Sequence, residues 1–227
     1  MHTLDTFPFA LDTDALMALV HVEPGTEDAD AFAALVERAR AVARPKVVFQ
    51  EAFVEARGET TVRLGGVTFT SRMLRANLDS VERAFAYVAT CGREAHEVPM
   101  EEGDLLAGFW WDAIKQALLG CALRALNEEL KRRYRLGKTS AMSPGSGDVD
   151  VWPIEQQREL FRLVGDVTGA IGVELTPSYL MVPNKSVSGL RFPTEADFYA
   201  CQVCRREVCE GRRAPFDEAL WRSIQHD

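Results

Sequence analysis

Apolar residues recur along this chain at two periods, and the switches between them mark out its elements. Residues 1–45 read as helical. Asp14 to Val20 forms a short amphipathic stretch, and the Ala-rich run from Ala29 to Arg44 forms a second helix that stops before Pro45. Val47, Val48 and Phe49, followed by Phe53 and Val54, predict a strand. Thr60 to Thr70 alternates around Gly65-Gly66 and predicts a second one. Ser71 opens a helix, and the apolar run Phe85 to Thr90 predicts a buried strand that ends at Cys91-Gly92.

From about Asp104 to Tyr134 the pattern is that of one long helix. Leu106, Phe109, Trp110, Ile114, Ala117, Leu118, Cys121 and Ala125 share helical spacing, and Leu119, Leu123, Leu126 and Leu130 make a second stripe. Such a helix is buried on much of its circumference, and Gly137 is the expected stop. Residues 137–151 are rich in Gly and Ser and read as a loop, of a length that in compact domains is usually functional or disordered. Pro153 opens the next helix, with Leu160, Phe161, Leu163 and Val164 as its apolar face. Val173 to Leu175, Leu180 to Val182 and Val187 to Phe192 predict strands, and a Cys-rich loop and a short helix ending near Ile224 follow. The expectation is an α+β fold: a twisted, mostly antiparallel sheet flanked by helices. Residues 1–45 would form a helical N-terminal segment and residues 46–227 a single domain.

Composition narrows the function classes. A net charge of -8 and a pI near 5.2 have the wrong sign for binding driven by phosphates. Lys131-Arg132-Arg133 reads as a solvated helix end that complements the macrodipole. No basic n-region opens the chain and no run approaches the roughly 18 apolar residues needed to span a bilayer, so the expectation is a cytoplasmic protein.

Of the five cysteines, three crowd into Cys201-x2-Cys204-x4-Cys209. In a reducing compartment that spacing reads as thiolate ligation of zinc or an iron–sulfur cluster, with Cys91 the best candidate for a fourth ligand. The alternative is free thiols. Cys121, on an apolar helix face, reads as core packing. His96 among Glu94, Glu97 and Glu101 reads as a solvated acidic turn, and Trp110-Trp111 as packing residues. No Ser/His/Asp order or nucleophile elbow is visible.

Two stretches belong together. Ser143-Pro-Gly-Ser-Gly-Asp148 precedes Trp152-Pro-Ile-Glu-Gln-Gln157, and Ile171-Gly-Val-Glu-Leu-Thr-Pro-Ser-Tyr-Leu-Met-Val-Pro-Asn-Lys-Ser-Val-Ser-Gly189 follows. In order and spacing they resemble the activation region of vitamin B12-dependent methionine synthase, most specifically over residues 137–200. The chain is similar to that activation domain alone, with no room for the family's folate, homocysteine or corrinoid-binding modules.

The resemblance implies S-adenosylmethionine as cofactor and cobalamin on a partner, a separate corrinoid-binding methyltransferase. The implied role is reductive methylation of that cobalamin, with flavodoxin or ferredoxin as electron donor. It places Ser143, Pro144, Gly145, Ser146 and Gly147 beside the ligand, with Phe198-Tyr199 where the family presents a tyrosine. The family's arginine before the loop is Ala141 here and its loop tyrosine is Ser146; Lys138 or Arg191 would have to supply the cation for the ligand's carboxylate. Gly145→Val is expected to abolish binding without disturbing the fold. The competing expectation is a metal-stapled interaction module that kept the fold and lost the ligand.

Overall fold

The computed structural model describes residues 1–146, 151–195, 198–209 and 212–225. Its centre is an antiparallel sheet built from β2 (Lys46–Arg57), β3 (Thr61–Leu64), β4 (Val67–Thr70), β5 (Arg83–Thr90), β6 (Thr139–Met142) and β9 (Ser186–Pro193), with β1 (His2–Leu4) added beside β2. The strand order is β4-β3-β2-β5-β9-β6. Every pairing in it is antiparallel. The short strands β7 (Glu174–Leu175) and β8 (Met181–Val182) pair separately.

Alternation along β5 explains the burial of every residue after Arg83, because each face meets a different layer. Phe85, Tyr87 and Ala89 join Val47 and Phe49 beneath α5 (Leu105–Tyr134), which follows the one-turn helix α4 (Arg93–His96), against Leu119, Ala122, Leu126 and Leu130. Ala84, Ala86 and Val88 face the opposite layer, with α3 (Arg72–Asn77), α6 (Gln157–Val164) and α7 (Val167–Ile171). A strand covered on both sides has no polar face, so its sequence reads as a continuous apolar run. The N-terminal helices α1 (Thr13–Leu19) and α2 (Glu27–Val42) close a third cluster on the first half of α5, where Phe32 meets Trp110 edge to face at 5.7 Å.

Side-chain caps fix most helix starts: Asp12, Thr26, Ser71, Asp104 and Asp166 each accept from a backbone N–H in the first turn. The long helix runs as its periodicity predicts, yet its first turn leaves Leu105, Leu106 and Phe109 exposed. It ends on Arg135 in the left-handed conformation (φ 53) rather than on Gly137.

Three other expectations change. The alternating stretch 60–70 is a hairpin, β3 and β4, because Gly65 and Gly66 both take positive φ (50 and 79) and turn the chain back. Residues 2–4, read as helical, add to the edge of β2. The expected loop 137–151 contains β6, whose Ala141 pairs with Arg191 of β9.

Candidate functional site

The loop after β6 is held by few bonds from buried anchors. Gly145 N donates to Trp152 O at 2.8 Å, and Ser146 N to Ser143 O at 3.1 Å. Trp152 is fully buried, edge-on to Phe69, and its indole N–H reaches Gln156 Oε1. Gly145 has φ +75, and a Cβ there would meet the Cβ and Cγ1 of Ile154 at 3.0 and 2.9 Å. Gly145→Val therefore strains the loop itself, and the expected clean loss of binding with an unperturbed fold does not follow. Gly189 is required for a different reason: a side chain on it would collide with Met142 O, Ser143 Oγ and the Tyr87 hydroxyl.

Phe198 and Tyr199 reach the same region by a buried hydrogen bond, Ser140 Oγ to Phe198 O at 2.7 Å. Phe198 turns into the core while Tyr199 stays exposed. Between this turn, β6, β9 and α5 lies a groove of about 540 Å³ that collects Ser143, Ser146, Phe198, Tyr199, Ala141 and Cys201. Four of the seven expected ligand residues thus share one wall system. Pro144 and Gly145 face a second groove of about 560 Å³ with Thr176, Tyr179 and Met181, which also reaches Ser143 and Ser146 but not the aromatic pair. Gly147 lies outside the described residues.

The first groove also takes in residues the sequence reading did not assign to it: Tyr87, Leu123, Asn127, Thr139 and Arg213. Asn127 had a signal, being an amide within the apolar stripe of Leu123, Leu126 and Leu130. Lys138, Arg191 and Arg213 give the groove three cations, and no Asp or Glu lines it among the described residues. In a chain of net charge -8, that local excess favours an anionic ligand group.

The cysteines divide. Cys91 is fully buried with Trp110, Trp111 and Ile114, and burial pushes its thiol up to about 11. Cys121 is also buried, its thiol raised by the same cause. Cys201, Cys204 and Cys209 are partly exposed on the C-terminal segment. Among the described residues, no group of three or more His, Cys, Asp or Glu side chains is gathered so as to hold a metal ion. What ties the cysteine-bearing turn together is Arg212, whose guanidinium donates to the carbonyls of Cys201, Cys204, Arg206 and Ala214. Arg213 N donates to Cys201 Sγ at 3.4 Å, and Arg205 lies over the ring of Trp221.

Residues 130–213 match the family model of the vitamin B12-dependent methionine synthase activation domain. Over this stretch the chain is similar to that family. The segment contains β6, the loop, β9 and the cysteine-bearing turn, which together form most of the groove. Comparison with curated proteins gives no match. Among solved structures, the crystal structure of the MetH reactivation domain bound to AdoHcy is similar, with a TM-score of 0.62 at 15% identity, covering 80% of this chain and 70% of the other. That likeness is one of fold, and it extends the activation-domain architecture well beyond the matched segment. No helix among the described residues is long and apolar enough to cross a membrane.

Proposed function

We propose that the chain binds S-adenosylmethionine in the groove beside Ser143 and Tyr199 and serves the reductive methylation of cobalamin held by a separate corrinoid methyltransferase. The observation that carries this reading is the convergence of the Pro-Gly loop and the Phe198-Tyr199 turn on one groove within the family-matched stretch. Its volume suits a nucleoside-sized ligand. The AdoHcy bound to the structurally similar reactivation domain adds support, since AdoHcy is S-adenosylmethionine without its transferable methyl group.

The donor set fits such a ligand. Tyr199 offers an exposed ring edge, Ser143 and Ser146 offer hydroxyls, and Lys138, Arg191 and Arg213 offer positive charge. Bound S-adenosylmethionine supplies an electrophilic methyl group. The chain's own contribution is to hold the ligand in one orientation at an open groove, where a cobalamin-bearing partner can approach it. The electron comes from a flavodoxin- or ferredoxin-type donor.

Calorimetric titration with S-adenosylmethionine and with S-adenosylhomocysteine tests the reading. One-site saturable binding of both is expected, and addition of the chain should restore activity to an oxidised corrinoid methyltransferase supplied with reductant. No binding of either ligand would overturn the proposal.

A further inference from the structure

Two buried polar atoms in the groove have no hydrogen-bond partner among the described residues: Arg191 Nε and Asn127 Oδ1. Both residues line the groove that holds Tyr199 and Ser143. Buried polar atoms are normally satisfied, because an orphan forfeits the hydrogen bond it made with water. Four such side-chain atoms occur in the described structure, and two of them lie in this one groove. They are also of opposite kind: one is a cationic N–H donor and the other a carbonyl acceptor.

Placement on the sheet sharpens the pairing. Arg191 stands directly opposite Ala141 across the β6–β9 ladder, so its side chain rises on the same face as the alanine that occupies the family's arginine position. Its guanidinium is already steadied by Nη1 donating to Thr139 Oγ1 at 3.1 Å. Ala141 leaves room where a longer residue would compete for that space. Asn127 faces the groove from α5, on the opposite wall from the strands.

We infer that Arg191 and Asn127 form the subsite for the α-amino-acid end of the ligand, Arg191 taking the carboxylate and Asn127 Oδ1 the ammonium. The cation has moved one strand across, from β6 to β9, instead of being lost. A zwitterion satisfies both orphans at once and matches the guanidinium with a carboxylate; a simple anion leaves Asn127 Oδ1 unpaired, and an adenine ring offers the cation only a neutral acceptor. The assignment rests on the reading of this groove as the S-adenosylmethionine site.

Its test uses two ligands on the full chain: S-adenosylhomocysteine, and 5′-methylthioadenosine, which keeps the nucleoside and sulfur but lacks the amino-acid end. Wild type should prefer S-adenosylhomocysteine by roughly 10- to 100-fold, the range expected for charge-assisted hydrogen bonds. Arg191→Ala and Asn127→Leu should each erase most of that preference while leaving 5′-methylthioadenosine affinity unchanged, which also reports that the groove has folded. Arg191→Lys keeps the charge without the Nε donor and should fall between. The double variant Ala141→Arg/Arg191→Ala should recover the preference from the neighbouring strand. Equal losses on both ligands, or no loss on either, would overturn the subsite while the nucleoside reading stands. A wild type that binds neither ligand would overturn the subsite and the proposed function together.

Discussion

Beneath α5 the sheet has two unlike ends. On one, Phe49, Phe85 and Ala89 meet Leu119, Leu126 and Leu130, and apolar contact is complete. On the other, Ala141 and Arg191 face Leu123 and Asn127 across a groove, and two polar atoms lack partners. The same helix and the same sheet face thus make a core at one end and an opening at the other. The difference lies in side-chain size and polarity: alanine and glycine at 141 and 189 withdraw the strand surface, and Asn127 interrupts the leucine stripe that would seal it. Stability is concentrated in the packed end, and binding capacity in the end that packing leaves incomplete.

The comparison predicts that core and groove variants separate stability from binding. Leu126→Ala, which empties a fully buried site at the packed end beneath α5, should cost about 2–5 kcal/mol by denaturant unfolding. Arg191→Ala should leave the unfolding midpoint nearly unchanged, since its charged head makes one hydrogen bond among the described residues. Similar losses in both variants would erase the distinction between the two ends.

Gly145→Val comes next in size. Its positive φ and the contact with Ile154 should cost about 1–3 kcal/mol. Binding lost through this variant reports a displaced loop and not a missing contact. Gly145→Ala should show a smaller share of the same effect in thermal melts; a melting temperature equal to wild type in both would show that the loop absorbs the strain.

Long-range order was legible where one element carried its own pattern. The buried strand β5 and the helix α5 declare themselves through apolar runs that need no partner to interpret. Ser71 and Asp104 mark helix starts through their side-chain chemistry. Pairing-dependent elements were not legible. His2–Leu4 and Thr139–Met142 are strands because β2 and β9 offer them an edge, and Thr139-Ser140 inside a Gly- and Ser-rich stretch carries no local β signal. The hairpin is the exception: its alternation shifts by one residue across Gly65-Gly66, from Val62 and Leu64 to Val67 and Phe69, and that break with the glycine pair marks the turn.

The site shows the same limit. Its loop, its tyrosine and Arg191 as a candidate cation were visible through family resemblance, whereas Asn127 and Arg213 join them only after β6 joins β9 and the C-terminal turn folds back. Arg212 is the test of that fold-back. Removing its four carbonyl contacts in Arg212→Ala should cost about 1–2 kcal/mol, since several are partly exposed. Limited trypsin digestion should then cut faster after Arg205 and Arg206. Unchanged digestion would mean that Trp221 and the Asp217 N to Gln202 O bond suffice to hold the turn.

The smallest effect concerns the thiols, and it divides the buried cysteines from those of the C-terminal turn by reactivity. Cys91 is buried with its thiol raised to about 11, and Cys121 is raised by burial as well, so neither should react with a disulfide reagent at pH 8 in the folded chain. Cys201, Cys204 and Cys209 are partly exposed and should account for three fast-labelling thiols per chain. The sign for Cys91 follows from which form the fold prefers. Burial favours the neutral thiol, so the unfolded chain ionises first, near the ordinary value of 9.0. The stability that Cys91 contributes is therefore complete below pH 9 and is lost as pH climbs from 9 toward 11, where Cys91→Ala should flatten the alkaline decline in melting temperature. Pre-incubation with zinc(II) extends the same labelling to the spacing of the C-terminal cysteines. Protection of Cys201, Cys204 and Cys209 together would show that they close on a metal when one is offered, with Cys91 left in the core. Undiminished labelling of all three, at zinc in excess over protein, would leave Arg212 as the centre that organises this turn.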